Sequence, residues 1–381
     1  MSDTVSDFFS KGKIRKYVCD AENYAIKAAT GLLLSSAFTA CSPSESKTDN
    51  EESGVKTAYA ITEKGDTLCS YNAVAKDSAS FARLQKLVNN ATKSKTGCSI
   101  LKSVSKQGTT LTLDQIKSTT VGFFCAETNS ITLNQAFGDA TLQSCLIHEA
   151  KHSVQQNSMA FLPNYMYDFE SNTIISRAKE ADAVATQTKF SYELMQAGDS
   201  AAWKDLRLNY PEITHSFKTQ AQKHGVDSKQ AMKSAMMKWY DNIPYSSLYD
   251  ASMIEYCTNV SQKTSAPKLR QMFTQTVNAD SVVSRVCSLD GVSYAGTDGS
   301  VLKTPRTLSM TAESYTQAEK FQKLQMSRCG RNDTSAANMF VAVDGQPSEI
   351  TFAKVLSNIN KDQTKTTTRA YQIALGARAG R

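Results

Sequence analysis

The chain contains the run His148-Glu149-Ala150-Lys151-His152, and it holds only four histidines in 381 residues. Two of the four therefore share one His-Glu-x-x-His frame. On an α-helix, residues i and i+4 lie on one face, so both imidazoles can reach one ion. Zn²⁺ takes nitrogen ligands of this kind and keeps one position open for water in catalytic sites. Glu149 projects about 100° around the helix from His148. There it can take a proton from a metal-bound water without being a ligand.

The flanks predict that helix. Asp139 is placed to cap it, and residues 140–147 run into the frame without Pro or Gly. Leu142, Leu146, Ala150 and Val154 recur near helical spacing, with Ile147 close by, so this stripe can bury while His148 and His152 face a cleft. Upstream, residues 120–126 read as a buried strand, Glu127-Thr128-Asn129 as a turn and residues 130–134 as a second strand. A β-hairpin followed by the His-Glu-x-x-His helix is the expected order.

A three-ligand site needs one more His, Glu or Asp. His215 and His224 lie far downstream in polar, helix-like surroundings and read as surface residues. The better candidates lie on residues 171–197, where Ile174, Ala178, Ala181, Ala185, Thr188, Tyr192 and Met195 follow alternating steps of four and three. That is the pattern of an amphipathic helix with a small-residue stripe turned inward. Glu180 and Asp182 flank the stripe, each about 100° from Ala181 and so about 200° apart. Both cannot point at one ion, and periodicity does not choose between them. Reach favours Glu180 as ligand, because Glu is longer and its side is lined by Thr173, Ser176 and Ser191; Asp182 is the alternative. From either residue, a carboxylate that orients a histidine is also expected.

Residues 120–194, about one fifth of the chain, resemble the zincin metallopeptidases. The run Lys179-Glu180-Ala181-Asp182-Ala183 is similar to the glutamate-bearing helix of gluzincin-like enzymes. Within that group the chain looks closest to an uncharacterised family of bacterial proteins classed as metallopeptidases, marked by His-Glu-x-x-His-x-x-Gln and then Glu-Ala-Asp-Ala. Gln155 fills the Gln position. The resemblance implies an α+β, mostly helical fold: a zincin-like catalytic domain with a small antiparallel sheet and an active-site helix, followed by a helical C-terminal region. It implies hydrolysis of a protein or peptide substrate with zinc held by His148, His152 and Glu180 or Asp182, and Glu149 as general base. In zincins the strand before the active helix is a sheet edge that pairs with substrate backbone. Here that strand is residues 130–134, which makes Ile131, Thr132 and Leu133 substrate-binding by strand addition. A tyrosine or histidine stabilising the oxyanion is implied as well, with Tyr165, Tyr167 and Tyr192 as candidates by position. The register departs from the usual one. Many relatives place the ligand Glu four residues before an orienting Asp, and four residues before Asp182 stands Ala178, which cannot bind metal.

The N-terminus carries a second signal. Lys11, Lys13, Arg15, Lys16 and Lys27 precede the uncharged residues 28–40, and Cys41 follows at once. A basic region, a short apolar core and small residues make a secretory signal. A Cys straight after small residues resembles a bacterial lipoprotein signal, with Cys41 lipidated. The apolar run is too short to span a bilayer. Phe38 stands where Leu, Val or Ile is usual, and Asp20 and Glu22 interrupt the basic region, so an ordinary helix of a cytoplasmic protein is the alternative. Residues 42–57 are rich in Ser, Glu, Asp and Lys and read as a flexible linker. The expected organisation is a signal over 1–41, the linker, a catalytic domain over 58–264 and a helical region with a basic tail over 265–381. The expected location is the bacterial cell envelope, on the periplasmic side, tethered to the membrane through Cys41.

A hydrophobic fraction of 40% can build a real core, and a mean hydropathy of −0.38 argues against a polytopic membrane protein. The net charge of +7 is spread thinly and aromatic residues do not interleave with Arg, which argues against nucleic-acid binding. Nine cysteines include no Cys-x-x-Cys pair, so no zinc ribbon or thioredoxin-like motif is present. On export, Cys257, Cys287 and Cys329 could contribute one disulfide. A hairpin over residues 59–71, a helix over 78–92, four or five helices beyond Gly198, a turn-rich connection over 290–304 and a helix over 309–326 complete the expected architecture. Two other function classes fit the same residues: a non-catalytic binding or envelope-scaffold protein of zincin fold, and a secreted protease effector.

Overall fold

The computed structural model describes residues 54–158, 162–331, 333–343, 345–354 and 357. Cys41, the segment 1–41, most of the linker 42–57 and the basic tail from Lys361 lie outside the described residues.

Strands β1 (Lys56–Ile61) and β2 (Thr67–Ala75) pair antiparallel, joined by a turn in which Gly65 has φ 85°. Helices α1 (Ser78–Ala91) and α2 (Lys95–Lys106) follow, N-capped by the side chains of Asp77 and Ser94, which satisfy backbone N–H groups the helix cannot. Strands β3 (Thr110–Asp114), β4 (Gly122–Cys125) and β5 (Ser130–Asn134) complete a five-stranded sheet in the order β1-β2-β3-β5-β4. β3 is reached from β2 through two helices, so it lies parallel to β2, as a crossover connection requires. β5 in turn runs parallel to β3 and antiparallel to β4. The sheet is therefore mixed, where a small antiparallel one was expected.

The same topology corrects the substrate strand. β5 is interior. Ile131, Thr132 and Leu133 pair with Leu111, Thr112 and Leu113 on one side and with Phe124, Phe123 and Gly122 on the other. Ile131 and Leu133 are buried in the core. With both flanks occupied, these three residues cannot receive a substrate strand. The sheet's edges are β1 and β4, and β4 is the edge that packs beside the His-Glu-x-x-His helix.

Helix α3 (Asp139–Ser158) carries the His-Glu-x-x-His frame. The Leu142 N–H bonds to the Gly138 carbonyl, so Asp139 lies inside the first turn rather than capping it, where a carboxylate suits the helix dipole. Arg83 grips it through Nε at 2.7 Å and also donates to the carbonyls of Gln135 and Phe137. α1 thereby fixes the junction from β5 into α3. Gly122 lets β4 lie close against α3: a Cβ there would meet Cys145 Sγ at 2.8 Å and the Thr132 carbonyl oxygen at 3.0 Å.

Helix α4 (Phe169–Gln196) departs from the amphipathic expectation. From Phe169 to Leu194 every residue except Glu170 and Lys179 is buried. Ala, Ser and Thr populate all its faces, so neighbours approach from every side, and a helix covered all round is a core helix. Its hydroxyls are satisfied locally: Thr173, Thr186 and Thr188 donate to the carbonyls of Phe169, Asp182 and Val184. α4 packs against α2 and α3, and against α5 (Ala201–Asn209), α6 (Pro211–His224), α7 (Lys229–Trp239) and α8 (Ile243–Lys263).

Beyond residue 264 come α9 (Ala266–Leu269), α10 (Ala279–Arg285) and the hairpin β6 (Ser288–Leu289) and β7 (Val292–Ser293). Asp290 and Gly291 have φ of 51° and 74°, the pair of positive values that a type I′ turn demands. Part of the expected turn-rich connection is therefore a hairpin. α11 (Pro305–Leu308), β8 (Ser309–Met310), α12 (Ala312–Cys329), β9 (Phe340–Val343) and β10 (Gln346–Thr351) follow, with the strands in the order β10-β9-β8. Cys257, Cys287 and Cys329 are buried thiols with no disulfide among them, so the bridge expected there is absent. Among the described residues no helix is long and apolar enough to cross a membrane.

A buried ion pair locks α4 to α8. Arg177 Nε and Nη2 donate to the two Asp250 oxygens at 2.9 and 2.6 Å, and Nη1 donates to the Thr307 carbonyl at 2.8 Å. Removing one partner leaves an uncompensated buried charge, a loss of about 3–5 kcal/mol. Arg177→Leu is expected to lower unfolding stability by about that amount in urea titrations, and a loss below about 1 kcal/mol would contradict the assignment.

Candidate metal centre

The contact between α3 and α4 brings His148, His152 and Glu180 together. One ligand-capable atom from each lies within 4.8 Å of the others, and all three residues are buried. The Nε2 atoms of the two histidines stand 3.1 Å apart. Glu180 Oε2 lies 3.4 Å from His148 Nε2, and Oε1 lies 3.4 Å from His152 Nε2. A tetrahedral ion with bonds of about 2.0–2.1 Å separates its ligands by about 3.3–3.4 Å. The spacings lie near that value, with the two Glu180 oxygens each facing one histidine, and the donor set of two imidazoles and one carboxylate is the kind zinc takes in catalytic sites.

Asp182 does not join them. It lies on another side of α4, where its carboxylate accepts from Gln155 Nε2 and from the Tyr294 hydroxyl, each at 2.6 Å. Lys151 Nζ lies 3.2 Å from the same carboxylate. The spacing from Glu180 to Asp182 is thus a true departure from the four-residue register, and Ala178 has no part in the group.

Glu149 is fully buried. Its Oε2 accepts the Phe124 N–H of β4 at 2.9 Å, whereas its Oε1 has no partner. A buried carboxylate oxygen left unsatisfied calls for an explanation, and reception of a water beside the histidines supplies one. Burial raises the Glu149 pKa and the Glu180 charge adds to this, against the two imidazoles. At His152 burial works against the charged ring, yet the Glu180 carboxylate outweighs it and lifts the pKa to about 9. Burial likewise opposes ionisation of Glu180, but His152 and His148 hold it well below the usual carboxylate range. Both directions favour a charged His152 beside an ionised Glu180 when no metal is bound.

The histidines were expected to face a cleft, but His148 has no exposed surface and His152 has 5%. His215 and His224 are exposed and remote from the group. The tyrosine candidates also resolve differently. Tyr192 packs edge-on against Trp203 and Phe217, and the Tyr167 hydroxyl accepts the Leu162 N–H at 3.2 Å. Tyr165 is half-buried, and its carbonyl takes the Phe273 N–H. The tyrosines that feel the site's charges are Tyr210, Tyr245 and Tyr249, each raised by burial first and by Glu180 in addition. The Tyr210 and Tyr245 hydroxyls bond to one another. Tyr245 also feels Glu149, and burial together with both carboxylates pushes its phenol up to about 12, against hydrogen bonds from Tyr210 and Tyr249. The spacing of Tyr245 and Tyr249, one helical turn apart, was the available sequence signal for this cluster.

A family model described as "Putative metallopeptidase family (DUF6782)" matches residues 61–295, well over half of the chain. No curated protein and no solved structure matches the chain significantly.

An ion can reach all three donors only after the proton on His152 leaves, because metal binding requires the neutral imidazole. Below a pKa of about 9 the ring is charged and uptake releases that proton; above it the release is gone. Calorimetric titration of the metal-free protein with Zn²⁺, in buffers of different ionisation enthalpy, should show release of at least about one proton per ion near pH 7. The release should fall by about one proton as the pH passes 9. Uptake whose heat is independent of the buffer near neutral pH would contradict the ion pair.

Proposed function

The chain belongs to this metallopeptidase family, and from that premise we propose that it is a zinc-dependent endopeptidase of zincin type, acting on a protein or peptide. The observation that carries the reading is the buried group of His148, His152 and Glu180 beside a second carboxylate, Glu149, with one oxygen unpartnered. His148, His152 and Glu180 would hold the ion. Zinc bound there would lower the pKa of a water toward about 7 and polarise the scissile carbonyl. Glu149 accepts the water's proton at Oε1 and passes it to the leaving amine, while Phe124 N–H anchors Oε2. Its raised pKa suits a group that must both take and return a proton. The substrate backbone lies along the free edge of β4, by strand addition. Tyr245, partly exposed and within the field of both carboxylates, keeps its proton at neutral pH and donates it in a hydrogen bond to the developing oxyanion.

The full burial of His148 and Glu149 favours one second reading, a zincin-fold protein that binds metal without turnover. Metal analysis and peptide hydrolysis measured together separate the two. Wild-type protein from zinc-replete growth should carry close to one zinc per chain, and Glu180→Ala should lose it. Glu149→Gln should keep the zinc while hydrolysis falls about 10²–10⁴-fold. Undiminished hydrolysis by Glu149→Gln, or wild-type protein without metal, would overturn the proposal. Stoichiometric zinc with no cleavage of a diverse peptide library would establish the second reading instead. Tyr245→Phe should leave zinc content unchanged and lower kcat by about 10²-fold; an unchanged kcat would remove Tyr245 from the mechanism.

A further inference from the structure

Asp182 lies two residues from Glu180 and about 200° around α4 from it, so it cannot touch either histidine directly. Gln155 spans the gap. It follows His152 by three residues on α3, and its Oε1 lies 2.9 Å from His152 Nδ1. Its Nε2 donates to Asp182 Oδ2 at 2.6 Å and to the Lys179 carbonyl at 2.9 Å. A carboxylate and a carbonyl can only accept, so the amide has one workable orientation, with its NH₂ toward them and its oxygen toward the histidine. His152 Nδ1 must then carry the hydrogen. Once the ring has given up its second proton to become a ligand, its Nε2, facing His148 and Glu180, is the nitrogen left with the lone pair.

The chain of contacts continues. Asp182 Oδ1 accepts from the Tyr294 hydroxyl at 2.6 Å. Lys151 Nζ pairs with Oδ2 at 3.2 Å and also donates to the Ser288 carbonyl. Lys151, Gln155, Asp182 and Tyr294 are all buried. A buried Lys–Asp pair is a poor stabiliser for its desolvation cost, which turns attention to what it orients.

We propose that Gln155 and Tyr294 are positioning residues of the metal centre: the chain Tyr294–Asp182–Gln155 fixes the tautomer and ring plane of His152, so that Nε2 presents its lone pair to the ion. The inference rests on His148, His152 and Glu180 being the ligands. It gives the β6–β7 hairpin and the residue after it a task, since that segment carries both Tyr294 and the Ser288 carbonyl that holds Lys151.

Zinc dissociation constants, obtained by chelator competition on the full chain, test this. The set is wild type, Tyr294→Phe, Gln155→Leu and the double variant. Loss of a group that orients a metal-bound histidine typically weakens affinity about 10–100-fold, and each single variant should fall in that range. Because both act through one route, the double variant should bind no more weakly than Gln155→Leu alone. A Tyr294→Phe affinity within about twofold of wild type, or losses that multiply in full, would overturn the proposal. A wild type that binds no zinc would overturn the metallopeptidase reading and this inference with it. Should Gln155→Leu fail to fold, ¹⁵N NMR of zinc-loaded wild type decides alone. It should show His152 protonated at Nδ1 and metal-bound at Nε2, and the reverse assignment would sink the proposal.

Discussion

Four ionisable side chains, His148, Glu149, His152 and Glu180, share a space from which solvent is almost wholly excluded, and the rest of the chain is arranged to keep them there. Any one of these charges buried alone would be too costly to hold. Held together they offset one another: the imidazoles hold the Glu180 carboxyl well below the usual range, and Glu180 lifts the His152 ring. This mutual dependence requires α3 and α4 to meet at one register. The small side chains of α4 allow the close approach, and the Arg177–Asp250 pair secures α4 from its other side.

Glu149 depends on a second layer of support. Its anchoring oxygen is held by a backbone N–H of β4, so its position is only as good as that of the strand. Gly122 sets how near the strand can come, and Arg83 sets where α3 begins. A carboxylate placed by backbone and packing, rather than by another flexible side chain, keeps its unpartnered oxygen aimed in one direction.

What could be read in the sequence was what repeats locally. The frame at 148–152 sits on a helix because i and i+4 converge only there, and the hairpin before it follows from two short apolar runs around Asn129. The 200° separation of Glu180 and Asp182 was also readable. Which of them faces α3 was not, since that is decided by helix–helix packing and not by the periodicity of either helix. Small-residue content hid the burial of α4: an amphipathic reading assumes one dry face, and Ala, Ser and Thr give little contrast between faces. β3, Thr-Leu-Thr-Leu-Asp, joins its neighbours through parallel pairings of long sequence separation, which no local pattern announces and which put β5 inside the sheet, away from the edge that the resemblance to zincins implied. Tyr245 and Tyr294 reach the site from 65 positions beyond Glu180 and 112 beyond Asp182 respectively, only through the tertiary fold, a distance at which no local pattern carries information.

The burial of α4 has a kinetic side. Segments exchange with solvent through the cheapest opening available to them, and a helix enclosed by α2, α3 and α5 to α8 has no cheap opening at its middle. Glu180 sits there, far from either frayed end. An ion seated against it could leave only by a slow route, either through the ligands' own motions inside a closed interior or by dismantling the surrounding bundle. Its exchange with the surroundings would then be slow, paced by the motions of the bundle more than by the strength of three coordinate bonds, and equilibration with a chelator would be correspondingly long.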